Sequence, residues 1–179
     1  MISFITFPSI ETKNILLRKI DRSDVHDFFE MRNNRKMHEY TNTPVDKNTE
    51  ETNAFIDKMN NGLDAKKWMV WAIEHKQSNK VIGSISIWNL EKEAKRGELG
   101  YGIVPNYQGL GLMKEALLSV IAYGFDVMKL KILEAYTEEN NRSSIKLLES
   151  CKFSEIDRVE ESEEFSDKVY RMVVYRLEC

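Results

Sequence analysis

Val104-Pro105-Asn106-Tyr107-Gln108-Gly109-Leu110-Gly111-Leu112-Met113-Lys114-Glu115-Ala116 is the stretch on which the reading of this chain turns. An extended apolar segment runs into two glycines separated by one residue. A helical stripe follows at once, carried by Leu112, Met113, Ala116, Leu117, Val120, Ile121 and Phe125. Glycines at such a junction let the backbone approach a ligand closely, and the first turn of the helix offers N–H donors that no helical carbonyl accepts. A strand–loop–helix junction of this kind holds a pyrophosphate with little basic charge. A βα turn that serves only the fold is the alternative for the same residues. Pro105 suits the junction, having no amide to donate and no capacity to extend a ladder. Lys114 falls in the first helical turn, facing either a phosphate or solvent.

Upstream of the junction the period changes to that of strands. Residues 67–74 and 81–88 are rich in aromatic and β-branched side chains and are joined by the polar turn 77–80, which predicts a hairpin. A charged loop over 91–97 leads to a third strand, 98–104. Nearer the start, 15–20 reads as a strand, and Asp21-Arg22-Ser23-Asp24 carries helix-start signals before Val25, Phe28, Phe29 and Met31. That helix ends near Asn33-Asn34 or continues irregularly toward Tyr40. Residues 46–49 cap a second helix containing Phe55, Ile56 and Met59, with Gly62 as its stop. Downstream, 130–137 predicts a strand, 143–151 a helix with Ile145, Leu148 and Cys151 on one face, and 169–177 a final strand. The order predicts one α+β domain, residues 1–179, with a mixed sheet.

Composition agrees with this. Of 179 residues, 42% are hydrophobic and 31% charged, as in a soluble globular protein. A net charge of −3 gives no global attraction to nucleic acid or to a membrane surface. No apolar run approaches the roughly 20 residues of a membrane span, and the N-terminus lacks the pattern of a signal peptide. Cys151 and Cys179 do not make a disulfide framework, so a reducing cytoplasm is expected. His26, His38 and His75 show no metal-ligand spacing, and no metal is expected.

The order of elements, with Gln108-Gly109-Leu110-Gly111-Leu112-Met113 opening the central helix, resembles the GNAT superfamily of acetyl-CoA-dependent N-acetyltransferases, whose signature there is Q/R-x-x-G-x-G/A. Gln108 and Gly111 match it, and Met113 replaces the small final residue. That departure is similar to the RimJ/RimL branch of ribosomal-protein N-terminal acetyltransferases, with its Y-Q-G-x-G-x-M-x-E-A pattern. Three further blocks resemble the same branch. Glu11-Thr12 through Leu16-Leu17-Arg18 is similar to T-x-x-L-x-L-R, and Glu98-Leu99-Gly100-Tyr101 to E-[IL]-G-Y. Residues 141–149 are similar to N-x-x-S-I-x-L-x-E. Lys152 stands where a glycine is usual. The resemblance spans residues 11–177 and implies a GNAT-type mixed sheet, flanked by helices and splayed after the fourth strand, with acetyl-CoA in the opening as co-substrate.

It also implies roles. The pantetheine arm would run along Tyr101, Gly102, Ile103 and Val104. The pyrophosphate would meet the amides of Gly109, Leu110, Gly111, Leu112 and Met113 beside Gln108. Asn141 is either a pantetheine ligand or a helix cap. Glu98 is the leading base for the incoming amine, directly or through a water, against a structural carboxylate. Ser144 donates to the leaving thiolate, or caps its own helix, with Tyr136 as a backup acid. His75 reads as a surface residue, and Cys151 as a buried thiol rather than the nucleophile of a ping-pong route.

The acceptor implied first is a protein N-terminal α-amine. A polyamine-like small molecule is second, and a CoA-binding regulatory module without turnover is the different class. Glu155, Asp157, Glu160, Glu161, Glu163, Glu164 and Asp167, opposed by Arg158 and Lys168, read as a solvated loop, or as the border of an acceptor site that attracts cations. Of Trp68, Trp71 and Trp88, most read as core, with one as a candidate wall of the acceptor pocket. No direct nucleic-acid or membrane contact is expected, and the protein reads as a monomer or homodimer.

Overall fold

In the computed structural model, which describes residues 7–41, 43–162 and 169–179, the chain opens with a short hairpin, β1 (Ile10–Glu11) and β2 (Ile15–Arg18). Asp21 and Asp24 then form a reciprocal capping box over a 3-10 turn, Arg22–Asp24, that starts α1 (Val25–Arg32). A second 3-10 turn, Arg35–His38, is tied back to α1 by the His38 ring at 2.8 Å from the Arg32 carbonyl, while the Arg32 guanidinium pairs with Asp46 at 2.6 Å. Asn48 accepts from the Glu51 amide at 3.0 Å and caps α2 (Thr49–Asp64).

The predicted meander follows as β3 (Met69–His75), β4 (Lys80–Glu91) and β5 (Arg96–Ile103), all antiparallel. A 3-10 turn, Pro105–Tyr107, leads to α3 (Leu112–Ala122), which closes in a π-turn, Tyr123–Val127. β6 (Ile132–Glu138), α4 (Arg142–Ser150), β7 (Ser154–Ser162) and β8 (Val169–Glu178) complete the chain.

The eight strands form one sheet in the order β1-β2-β3-β4-β5-β6-β8-β7. β5 and β6 are its one parallel pair among the described residues, and they pair only from Arg96↔Ile132 to Leu99↔Ala135. Past Leu99, β5 stays on β4 while β6 stays on β8, and the sheet opens between them. Burial follows strand alternation. Trp71, Ile85, Ile87 and Leu133 face α3 and α4, whereas Val70 and Ala72 pack with Phe28 of α1 and Ile56 of α2.

Three features differ from the sequence reading. Gly62 does not stop α2. It is buried within the helix, and a Cβ there would fall 1.9 Å from the Trp68 ring, so the glycine makes room for the indole. Residues 154–162 form a strand rather than a loop, paired along β8 from Ser154↔Arg176 to Ser162↔Val169. Both faces of β7 are largely exposed, so it lacks the apolar alternation by which strands are recognised, and its charges suit a sheet edge. Glu163, Glu164, Asp167 and Lys168 lie outside the described residues, as do the first six. β1 is too short to carry a period at all.

Candidate active site

Beside the opening lies a cleft of about 640 Å³, lined by Tyr101, Gly102 and Ile103 of β5, Gln108, Gly109 and Gly111 of the junction, Leu112, Met113 and Lys114 of α3, Asn141, Ser143 and Ser144 at the start of α4, and Lys36, Met37, Glu39, Tyr40 and Thr41. Gly109 and Gly111 have φ of +74° and +79°, which only glycine adopts without strain, and a Cβ at either would meet nothing within 4 Å. Gly111 is the N-cap of α3 and supplies no side-chain cap, so the helix presents its first amides bare to the cleft. Lys36, Lys114 and Lys146 line the cleft against a single acid, Glu39. Bare amides, open space above the glycines and three lysines suit a phosphorylated ligand.

The sequence-predicted residues fall at different points of this cleft. The Gln108 amide turns back and donates to the Ile103 carbonyl at 3.0 Å, tying the junction to the end of β5. The Ile103 side chain is buried in the core, leaving its backbone to the cleft. Val104 lies outside the lining, its amide bonded to the Ile82 carbonyl at 2.8 Å, and Leu110 is an exposed side chain beyond the rim. Asn141 caps α4 by accepting from the Ser144 amide at 3.1 Å. The Ser144 and Tyr101 hydroxyls lie 2.8 Å apart. Cys151 is buried against the core, and His75 ends β3, its ring beside Tyr107 and its Nδ1 3.0 Å from the Ser78 hydroxyl. No group of metal-ligating side chains forms among the described residues, and none of their helices is long and apolar enough to cross a membrane.

Glu98 faces the opposite side of the sheet from Tyr101. It is paired in register with Trp88, which is 44% exposed, whereas Trp71 is fully buried and Trp68 is partly buried, donating to the Met59 carbonyl at 3.0 Å. In the row Glu98, Gly100, Gly102 the glycines are covered by their neighbours: a Cβ at Gly100 would lie 3.0 Å from the Ser86 hydroxyl and 3.5 Å from the Trp88 indole nitrogen, and one at Gly102 would lie 3.2 Å from the Met37 methyl. Burial pushes the Glu98 carboxyl up. The charges of Glu161 and Glu134 add to this, against the Asn89 hydrogen bond and the Arg96 charge. Glu134 is buried and satisfied by Arg96 and Arg176.

Asn89 is a residue the sequence reading missed. Its φ is +48°, at a register shift in β4 that turns its amide onto Glu98 at 3.3 Å. The local signal was the polar Asn89 interrupting the apolar run of β4.

A sheet parted between two parallel strands, with a bare helix N-terminus at the opening, is the architecture of a CoA-thioester acyltransferase. The chain belongs to the acetyltransferase (GNAT) domain family, which it matches over residues 14–154, and it is an acetyl-CoA-dependent N-acetyltransferase. It is 28% identical over 142 residues, 79% of this chain and 80% of the other, to the uncharacterized N-acetyltransferase YoaA of Bacillus subtilis. The fold is shared with RimL, the ribosomal L7/L12 α-N-protein acetyltransferase solved with coenzyme A, at a TM-score of 0.85 and 17% identity over 96% of this chain and 98% of that one. It is shared also with spermidine N-acetyltransferase from Vibrio cholerae, solved with CoA and spermine, at a TM-score of 0.79 and 18% identity over 92% of this chain and 95% of that one.

Proposed function

We propose that this enzyme acetylates the primary amine of a cationic acceptor, with a protein N-terminal α-amine of the RimJ/RimL kind as the first candidate. The observation that carries the reading is the surround of Glu98. A half-buried carboxylate stands beside its register partner Trp88, whose indole is exposed and lies over Gly100, within the field of Glu161 on β7. Carboxylates and an aromatic face together attract an ammonium group. The acidic β7 thus borders the acceptor side. Residues 35–41 close that side as well, where the Tyr170 hydroxyl donates to the Thr41 carbonyl at 3.4 Å. A polyamine-like acceptor is the second reading, favoured by the Glu161 carboxylate acting on Glu98.

In this reading acetyl-CoA lies in the cleft, its pyrophosphate on the amides of residues 109–113 and its pantetheine along residues 101–103 with Asn141 at hand. The amine arrives on the Glu98 side, and Glu98 takes its proton directly or through a water, since an ammonium has no lone pair. The neutral amine adds to the thioester carbonyl, the tetrahedral adduct expels the sulfur as a thiolate toward Ser144, whose hydroxyl donates to it, and the surplus proton on the new amide nitrogen passes to solvent. Holding the two reactants in line from opposite sides of the sheet supplies much of the rate. Free cysteines at 151 and 179 support a reducing compartment such as the cytoplasm.

Thiol release from acetyl-CoA in a panel of basic N-terminal peptides and polyamines tests the assignment. Turnover with peptides alone supports the first reading and turnover with polyamines alone the second. Acetyl-CoA binding, seen as a thermal shift of about 2.7 kcal/mol at 100 times its dissociation constant, without turnover on any amine would leave a binding module.

A further inference from the structure

The scheme above lays the pantetheine along the backbone of Tyr101 and gives its phenol no role, yet that phenol is the partner of the Ser144 hydroxyl, 2.8 Å away, with both at the cleft. The two residues are 43 apart in sequence, and each is held from behind. The Tyr101 ring packs against the core, on the face of β5 opposite Glu98. The Ser144 amide is capped by Asn141, which fixes the serine in the first turn of α4, where the helix dipole favours a developing anion. Two hydroxyls facing one another share one hydrogen between them, and the other hydrogen points elsewhere. Burial pushes the Tyr101 phenol up to about 12, so it stays protonated through the working range. A phenol is also a better donor than a serine hydroxyl. With Tyr101 donating, the Ser144 hydrogen is left to swing into the cleft.

We propose that Tyr101 is a positioning residue for acetyl transfer, donating to Ser144 so that the serine hydrogen points at the departing sulfur. The inference rests on Ser144 donating to the thiolate, as read above. No proton moves from Tyr101. The C–S bonding pair goes to sulfur, the Ser144 hydrogen bond steadies it, and the proton that completes the free thiol comes later from solvent or from the protonated base. Tyr101 therefore acts only through Ser144.

A double-mutant cycle on the full chain tests this, with kcat, the acceptor KM and the acetyl-CoA dissociation constant measured for Tyr101→Phe, Ser144→Ala and the pair. Tyr101→Phe keeps the ring and its packing and removes one oxygen. We expect it to lower kcat roughly five- to tenfold, the worth of one oriented hydrogen bond, with acetyl-CoA binding unchanged. In the Ser144→Ala background the same change should cost less than twofold, because the hydroxyl it orients is gone. A merely structural tyrosine would lower kcat by the same factor in both backgrounds, or would weaken acetyl-CoA binding. Either result overturns the proposal while leaving Ser144 in its role. An unchanged kcat in Ser144→Ala would instead reject the Ser144 reading and the positioning role with it. Should Tyr101→Phe melt early, Tyr101→Leu as a ring-loss control separates packing from hydroxyl: equal kcat losses in Phe and Leu variants that bind acetyl-CoA normally uphold the role, and a loss confined to Leu rejects it.

Discussion

Glu98 and Tyr101 stand three positions apart on β5 and so project from opposite faces of the sheet, one toward Trp88 and the other onto Ser144. The base candidate and the hydroxyl pair could not share a substrate across an intact sheet. The proposed scheme depends on the separation of β5 and β6 past Leu99, which opens the sheet between them. An amine entering from one side and a thiolate leaving on the other suits addition to the thioester carbonyl followed by expulsion of the sulfur.

Removing the base should be felt most in acid. Glu98→Gln is expected to lower kcat/KM by about 100-fold near neutral pH, with the loss shrinking as pH approaches the acceptor's own pKa, where the ammonium loses its proton unaided. Asn89→Ala removes the hydrogen bond that favours the ionised carboxylate, so the acid limb of the pH profile should move to higher pH. Profiles that superimpose on wild type would reject the base.

The same carboxylate should cost stability. Its folded pKa is raised, so its favourable contribution is full below the unfolded value and is lost as pH rises through the folded one. Glu98→Gln should therefore raise Tm at pH 7 and change it little at pH 4, as followed by thermal melting.

The junction should separate binding from chemistry. Gly111→Ala places a Cβ in left-handed backbone, costing about 1–2 kcal/mol, and sets a methyl before the bare amides of α3. The acetyl-CoA KM should rise about tenfold with kcat within twofold. A rise confined to the acceptor KM would put the pyrophosphate elsewhere.

On the acceptor side, Trp88→Ala and Glu161→Gln should each raise the KM of a cationic acceptor several-fold and leave that of acetyl-CoA alone. The Glu161 effect should fade with salt, since the screening length is about 10 Å at 0.1 M and about 3 Å at 1 M. Salt-independent constants would make β7 a purely structural edge.

Glu115, in the first turn of α3, accepts from the Thr12 hydroxyl and from the Asn14 amide and side chain, the latter two at 2.8 Å. Burial pushes its carboxyl up, but these hydrogen bonds outweigh it and hold the pKa low. Glu115→Gln should cost about 1–2 kcal/mol at pH 7. A lowered folded pKa gives stability above the unfolded value that is lost as pH falls, so the gap to wild type should close below about pH 4, which urea titration at several pH values would show.

The sequence alone determined the succession of elements, the glycine junction, the stripe of α3 and the family. Each is written in a local period or a short motif, because strand alternation, helical spacing and positive-φ glycines are properties of neighbouring residues. It also nominated Glu98 and Ser144. Only the tertiary structure decided what each of them touches. Tyr101 meets Ser144 43 residues away, and Thr12 meets Glu115 103 residues away. The bulge that aims Asn89 at Glu98 follows from the register of β4 against β5. β7 was illegible because a strand exposed on both faces carries no apolar period, and Gly62 misled because a buried glycine under an indole looks locally like a helix stop. Such contacts leave no periodic trace along the chain, since they are selected by packing between elements that the backbone brings together only once it has folded.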